Sequence, residues 1–67
     1  EVDLVLEGEF GLLPIEVKFG QRLSLQGLRG IRDFIAERGC PCGLVIHNGE
    51  RVERLDERLI AVPLACL

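Results

Sequence analysis

The run Gly43-Leu44-Val45-Ile46 constrains the fold of this chain more than any other segment. It is apolar throughout and of strand length. A strand with no polar alternation suits burial on both faces, as in a parallel pair. The residues before it carry a helical pattern. Leu25, Leu28, Ile31, Phe34 and Ile35 recur at spacings of three, four and seven, and Gln26, Arg29, Arg32, Asp33 and Glu37 lie off that stripe. Ser24 is the expected N-cap. Gly39 is the expected glycine after the last turn, with Pro41 beyond it. Gly27 and Gly30 weaken the helix by roughly 1 kcal/mol each relative to Ala, and they permit close approach to a sheet.

Upstream, residues 2–7 are β-rich and read as a strand. Gly8-Glu9-Phe10-Gly11 reads as a turn, and residues 12–19 as a second strand broken by Gly20 and Gln21. Pro14 points to an edge position or to a place where pairing begins. Strand, helix and buried strand make a right-handed βαβ crossover. Downstream, Asn48-Gly49 signals a type I′ hairpin. Residues 51–55 are then the returning strand, with charges that suit a sheet edge. Residues 59–62 form a last short strand closed by Pro63. The expected architecture is α/β: a small mixed sheet with a hairpin, one crossover helix and a following buried strand, all in one domain over residues 1–67. There are no internal repeats and no low-complexity linker.

Sixty-seven residues allow one small core. A chain of that size buries only about 60% of its unfolded surface. Yet 48% of the residues are hydrophobic, with no Trp or Tyr, a composition made to be covered by more protein. The chain also lacks Met, and Glu1 stands two residues before Asp3. The expectation is the C-terminal part of a longer protein, truncated on the N-terminal side. A net charge of −3 does not describe a stand-alone DNA binder, which is expected to be basic. No run of 18 apolar residues provides a membrane span, and no signal-peptide pattern is present. An odd count of cysteines, Cys40, Cys42 and Cys66, suits a reducing cytoplasm. Cys40-Pro41-Cys42 is too tightly spaced for the usual zinc pair and has only His47 near it. These thiols read as small apolar side chains at a helix-to-strand connection.

The chemistry lies in Asp3 and in Glu16-Val17-Lys18. Side chains alternate faces along a strand, so Glu16 and Lys18 share one face and Ile15 and Val17 the other. A two-residue loop at Glu9-Phe10 pairs Gly8 with Gly11, and counting back sets Asp3 opposite Glu16. Side chains so opposed have Cβ atoms about 4.5–5.5 Å apart. Two carboxylates at that distance repel unless a cation lies between them. Mg²⁺ or Mn²⁺ would answer: Mg²⁺ takes oxygen ligands and is usually held by one or two carboxylates with waters and phosphate oxygens. A lysine beside it can orient the attacking water or stabilise developing charge. Acids and lysines on a strand face are also common, and the spacing leaves open a solvated cross-strand salt bridge.

The order of elements narrows this. A hairpin carrying Asp and then Glu-x-Lys, followed by a helix and a buried strand, resembles the PD-(D/E)xK restriction-endonuclease-like core. The segments Glu1-Val2-Asp3-Leu4-Val5-Leu6, Pro14-Ile15-Glu16-Val17-Lys18 and Ile60-Ala61-Val62-Pro63-Leu64 resemble the C-terminal domain of a family of prokaryotic AAA+-type ATPases. That resemblance implies metal ligation by Asp3 and Glu16, with the Val17 carbonyl as a third ligand, and Lys18 as the catalytic lysine. It implies ATP only in an upstream ATPase domain, since no Gly-Lys-Ser/Thr phosphate loop occurs here, and DNA as a partner of the full-length protein. A further acid from a helix before the first strand would complete such a site.

Two functions follow as expectations: metal-dependent DNA cleavage controlled by the ATPase, or an inactive interaction or regulatory module. A third possibility is a homodimer formed through open sheet edges and apolar faces. Gln21, beside the lysine, is read as a polar turn residue before a phosphate contact. His47 is read as a capping or edge residue, and Arg29 and Arg32 as solvated.

Overall fold

The computed structural model describes residues 2–20, 23, 24 and 26–67. Strands β1 (Leu4–Gly8) and β2 (Gly11–Lys18) form an antiparallel hairpin. Its register runs from Gly8↔Gly11 to Leu4↔Ile15, as a two-residue turn at Glu9-Phe10 requires. Gly11 carries the positive φ of that turn, 101°. Helix α1 (Arg29–Arg38) crosses to β3 (Gly43–His47), which lies parallel to β2. β4 (Glu53–Asp56) and β5 (Leu59–Pro63) complete a five-stranded mixed sheet of order β1-β2-β3-β5-β4. β3 has parallel neighbours on both edges, as expected, but it is fully buried on the helix side only: Gly43 and Val45 are buried, and Leu44 and Ile46 half-buried.

Three local expectations change. The turn at Asn48-Gly49 is not type I′, because neither residue has the positive φ that turn demands. Instead, Asn48 Oδ1 accepts the Gly20 N–H at 3.1 Å, and the Gly49 N–H donates to His47 Nδ1 at 3.0 Å. The chain passes β5 and returns: β4 pairs with β5 alone, with a register shift between Arg54 and Asp56. Its charged residues still lie on a sheet edge, as expected. The helix begins at Arg29 rather than just after Ser24. Ser24 caps a separate turn, its Oγ accepting the Gly27 N–H at 3.0 Å and its carbonyl the Leu28 N–H at 3.1 Å. Gly27 and Gly30 make continuous helix there expensive. Leu25, placed on the apolar stripe by its spacing, lies outside the described residues. Of the two readings of Pro14 the second holds: it is buried inside β2, not at an edge, and the ladder to β3 begins beside it, at Ile15. It therefore removes no bond from that ladder.

The helix end matches expectation. Gly39 sits in the left-handed region at φ 61°, and its N–H caps the Ile35 carbonyl. Leu28, Ile31 and Ile35 pack against Val45, Leu59 and Ala61 to make the core. Ile31, Val45 and Ala61 are wholly buried; full burial of an Ile or Val side chain stabilises by about 1.5–3 kcal/mol. Cys40 is a buried free thiol in this cluster, while Cys42 is half-buried and Cys66 exposed. The register sets Glu16 in line with Val45 and Ala61, on the helix-covered face. The other face carries Leu4, Leu6, Ile15, Val17, Leu44, Ile46, Ile60 and Val62. Leu4, Leu6 and Val17 there are 53%, 43% and 43% exposed. No helix among the described residues is long and apolar enough to cross a membrane.

Candidate functional site

β2 delivers Glu16 and Lys18 to the helix side of the sheet. Glu16 is buried, at 1% exposure, and its Oε2 lies 3.0 Å from Lys18 Nζ. The ion pair runs along one strand, not across the hairpin, and its carboxylate end is buried while the lysine keeps 22% of its side chain in solvent. Both features depart from the surface salt bridge that the spacing left open. Desolvating a carboxylate and an ammonium costs several kcal/mol per ion, so an aliphatic pair of similar volume is often equally stable or more so.

Asp3 stands one residue before β1. The hairpin count, continued past Leu4, sets it opposite Glu16. Its N–H instead donates to the Ile15 carbonyl at 2.9 Å, one residue short of that register. Its Oδ2 accepts the Val17 N–H at 2.8 Å. In an extended strand the N–H and C=O of one residue point to the same side, so the Val17 carbonyl also faces the Asp3 side of β2. The structure thus joins Asp3 to the Val17 peptide, and Glu16 to Lys18. The two pairs are neighbours along β2.

The donors fit a hard cation: two carboxylates and a backbone carbonyl are oxygen ligands, and Mg²⁺ needs no more than one or two carboxylates from protein. Among the described residues no group of three or more His, Cys, Asp or Glu is gathered for a metal. Cys40 packs in the core cluster, and Cys42 is half-buried close to it in sequence.

His47 ends β3 and caps the turn that follows, as read from the sequence, but the sequence reading did not place it beside Lys18. The ladder aligns it with Lys18 on β2 and Pro63 on β5, on the face of Glu16. Its Nδ1 accepts the Gly49 N–H, while Nε2 is buried without a hydrogen-bond partner. The available signal was the parallel pairing, which in register brings the ends of β2 and β3 together.

Arg29 and Arg32 lie elsewhere, on a groove of about 700 Å³ between α1 and the β4–β5 turn. Arg32 Nε is 3.1 Å from Asp56 Oδ2, and Arg29 approaches Asp33 at 3.9 Å. The Glu57 N–H holds the Asp56 carboxyl below the usual aspartate range; desolvation opposes this and Arg32 adds to it. These arginines are engaged with acids on the surface. Gln21 lies outside the described residues.

No curated protein and no solved structure matches the chain. A family model described as Domain of unknown function (DUF4143), associated with AAA-type ATPase N-terminal regions, matches residues 1–67. With its whole length matched, the chain belongs to the DUF4143 family.

Proposed function

We propose that this domain is the nuclease-like part of an AAA+-type ATPase. In this reading Asp3, Glu16 and the Val17 carbonyl hold Mg²⁺ or Mn²⁺, and the activity is hydrolysis of a DNA phosphodiester. The observation that carries it is the buried Glu16–Lys18 pair, at 3.0 Å, near the carboxyl end of a parallel strand. In open α/β sheets ligands bind beyond the carboxyl ends of the strands, and so small a core gains little from buried charge. A bound ion would lower the pKa of a water and neutralise phosphate charge. Glu16 and Asp3 orient the site, Asp3 being fixed by the Val17 N–H. Lys18, released from Glu16, donates to a phosphate oxygen or to the attacking water. ATP belongs to the ATPase domain, and cleavage falls under its control.

The test is Mn²⁺ binding by calorimetry with a parallel nuclease assay on the full-length protein. Glu16→Ala is expected to abolish both, and Lys18→Ala to abolish cleavage while binding persists. Unchanged binding and cleavage in both variants removes the assignment.

A second reading, an inactive regulatory or interaction module that self-associates, draws on the sheet face bearing Leu4, Leu6 and Val17 and on β1, exposed at every residue. An exposed apolar edge strand is a template for pairing. Sedimentation of the chain over rising concentration is expected to show dimer, and Leu6→Lys to return monomer. A wild-type monomer throughout ends this reading.

A further inference from the structure

We propose that His47 Nε2–H and the Lys18 ammonium form a phosphate-binding pair at the carboxyl-terminal rim of β2 and β3. The inference deepens the reading above, as the phosphate subsite of the same site, but it does not depend on a metal.

The first observation is the orphaned nitrogen. His47 Nδ1 accepts the Gly49 N–H at 3.0 Å. A ring nitrogen that accepts carries no proton, so the neutral imidazole holds its hydrogen on Nε2. That Nε2 is buried and has no hydrogen-bond partner. Buried polar groups are nearly always paired, and each exception needs a reason. The loop makes the exception firm. A Cβ at Gly49 would lie 2.9 Å from His47 Nδ1 and 3.1 Å from Cε1, so glycine lets the backbone close on this edge of the ring. Asn48 accepts the Gly20 N–H and ties the ends of β3 and β2 together. The ring is held with its donor unused.

The second observation is the company it keeps. Lys18 and His47 are directly paired in the parallel ladder, on one face. Lys18 is partly exposed while Glu16 beneath it is not, at 22% against 2% for the side chains. The rim therefore offers one cation open to solvent and one fixed neutral donor, with no acceptor for the latter. Such a pair is matched by an anion with several acceptor oxygens, and a phosphate group supplies them. Hydrogen bonds from charged or neutral donors to an ionised acceptor are short and strong.

The experiment uses the 67-residue chain, inorganic phosphate as probe and a chelator to exclude metal. His47 is the only histidine, so its ring nitrogens are assigned at once in a long-range ¹H–¹⁵N spectrum. Phosphate is expected to shift the Nε2 resonance saturably at neutral pH, and chloride of equal ionic strength to leave it in place. His47→Phe is expected to weaken phosphate binding about tenfold or more, as loss of a hydrogen bond to a charged group predicts. His47→Gln, which returns an N–H near the same place, is expected to restore most of it. Glu16→Gln frees Lys18 and is expected to keep or tighten phosphate binding, whatever it does to Mn²⁺. A Nε2 resonance unmoved by phosphate, or moved equally by chloride, overturns the proposal. So does wild-type affinity in His47→Phe, or loss of the response in Glu16→Gln. If His47→Phe does not fold, the wild-type titration decides alone. The Mn²⁺ result for Glu16→Gln bears only on the metal reading, so the two fail separately.

Discussion

Lys18→Met is the sharpest perturbation that this structure offers. It leaves the Glu16 carboxylate, with a side chain 2% exposed, without the ammonium 3.0 Å away. At an effective dielectric of about 20, unit charges at that distance attract by about 5.5 kcal/mol before desolvation is counted. Measured losses on breaking a buried pair are about 3–5 kcal/mol, because one charge remains buried. Two facts reduce the figure here: Lys18 keeps 22% of its side chain in solvent, and Glu16 has a further interaction. The expected loss is about 2–3 kcal/mol, after discounting for solvent screening. At about 0.05–0.15 kcal/mol per residue, a chain of this length has only about 3–10 kcal/mol in all. Urea denaturation should show a lower midpoint at unchanged slope, and melting should fall by about 4–8 °C per kcal/mol. The double variant Glu16→Gln/Lys18→Met should recover most of the loss. Lys18→Met within about 0.5 kcal/mol of wild type would refute the reasoning, as would a double variant no better than the single. With the metal reading correct, Mn²⁺ at about a hundred times its Kd should add about 2.7 kcal/mol.

Other perturbations test the frame around the site. Gly43→Ala puts a Cβ 2.7 Å from Ile35 Cδ1 and 3.3 Å from Pro14 Cγ, and overpacking of this kind should cost about 1–3 kcal/mol by chemical denaturation. Gly39→Ala meets no neighbour within 4 Å, but φ is 61° there, so backbone strain alone should cost about 1 kcal/mol. Ile31→Ala, at a position with no exposure, should cost about 2–5 kcal/mol. Asp56 has a depressed folded pKa; its contribution is therefore complete above the unfolded aspartate pKa and lost as pH falls through the folded one. Removing the guanidinium with Arg32→Gln should raise the Asp56 midpoint in an NMR titration; an unmoved midpoint would remove Arg32 from the causes.

Much of this architecture was legible in residue order. The apolar run at Gly43–Ile46 announced a strand in a parallel pair, and the sheet gives it parallel neighbours on both edges, though only its helix-side residues are fully buried. Gly8 and Gly11 set the hairpin register through Leu4. Local signals failed where longer-range partners competed. Asn48 has a turn-forming side chain, yet it spends its oxygen on Gly20, 28 residues away. That bond ties the end of β3 to the turn after β2, and the next strand pairs with β5 instead. Ser24 does cap, but it caps a separate turn that contains Gly27, and the helix starts only at Arg29. The site was legible as residue types on faces. Its burial was not, because which face of β2 the helix covers depends on the crossover.

The polar exceptions of this small core all gather in one place. Glu16 is the buried charged residue of the described core, Lys18 leans on it, and the unpartnered His47 Nε2 lies in register with Lys18. The buried members of the core cluster itself are Leu, Ile, Val, Ala and Cys. Stability alone does not account for that concentration, since aliphatic residues would fill the same rows without desolvating two ions and a ring nitrogen. Under the proposed function the acid would meet a metal ion, and the solvent-reaching cation and the ring donor a phosphate. Stability tests of Lys18→Met and phosphate titration of His47 therefore probe one arrangement from two sides. Substitution to aliphatics at all three positions, Glu16→Leu, Lys18→Met and His47→Leu, should leave a chain at least as stable as the original and unable to bind phosphate. If it unfolds instead, these residues serve the fold, and the wild-type phosphate titration alone decides whether the rim is a site.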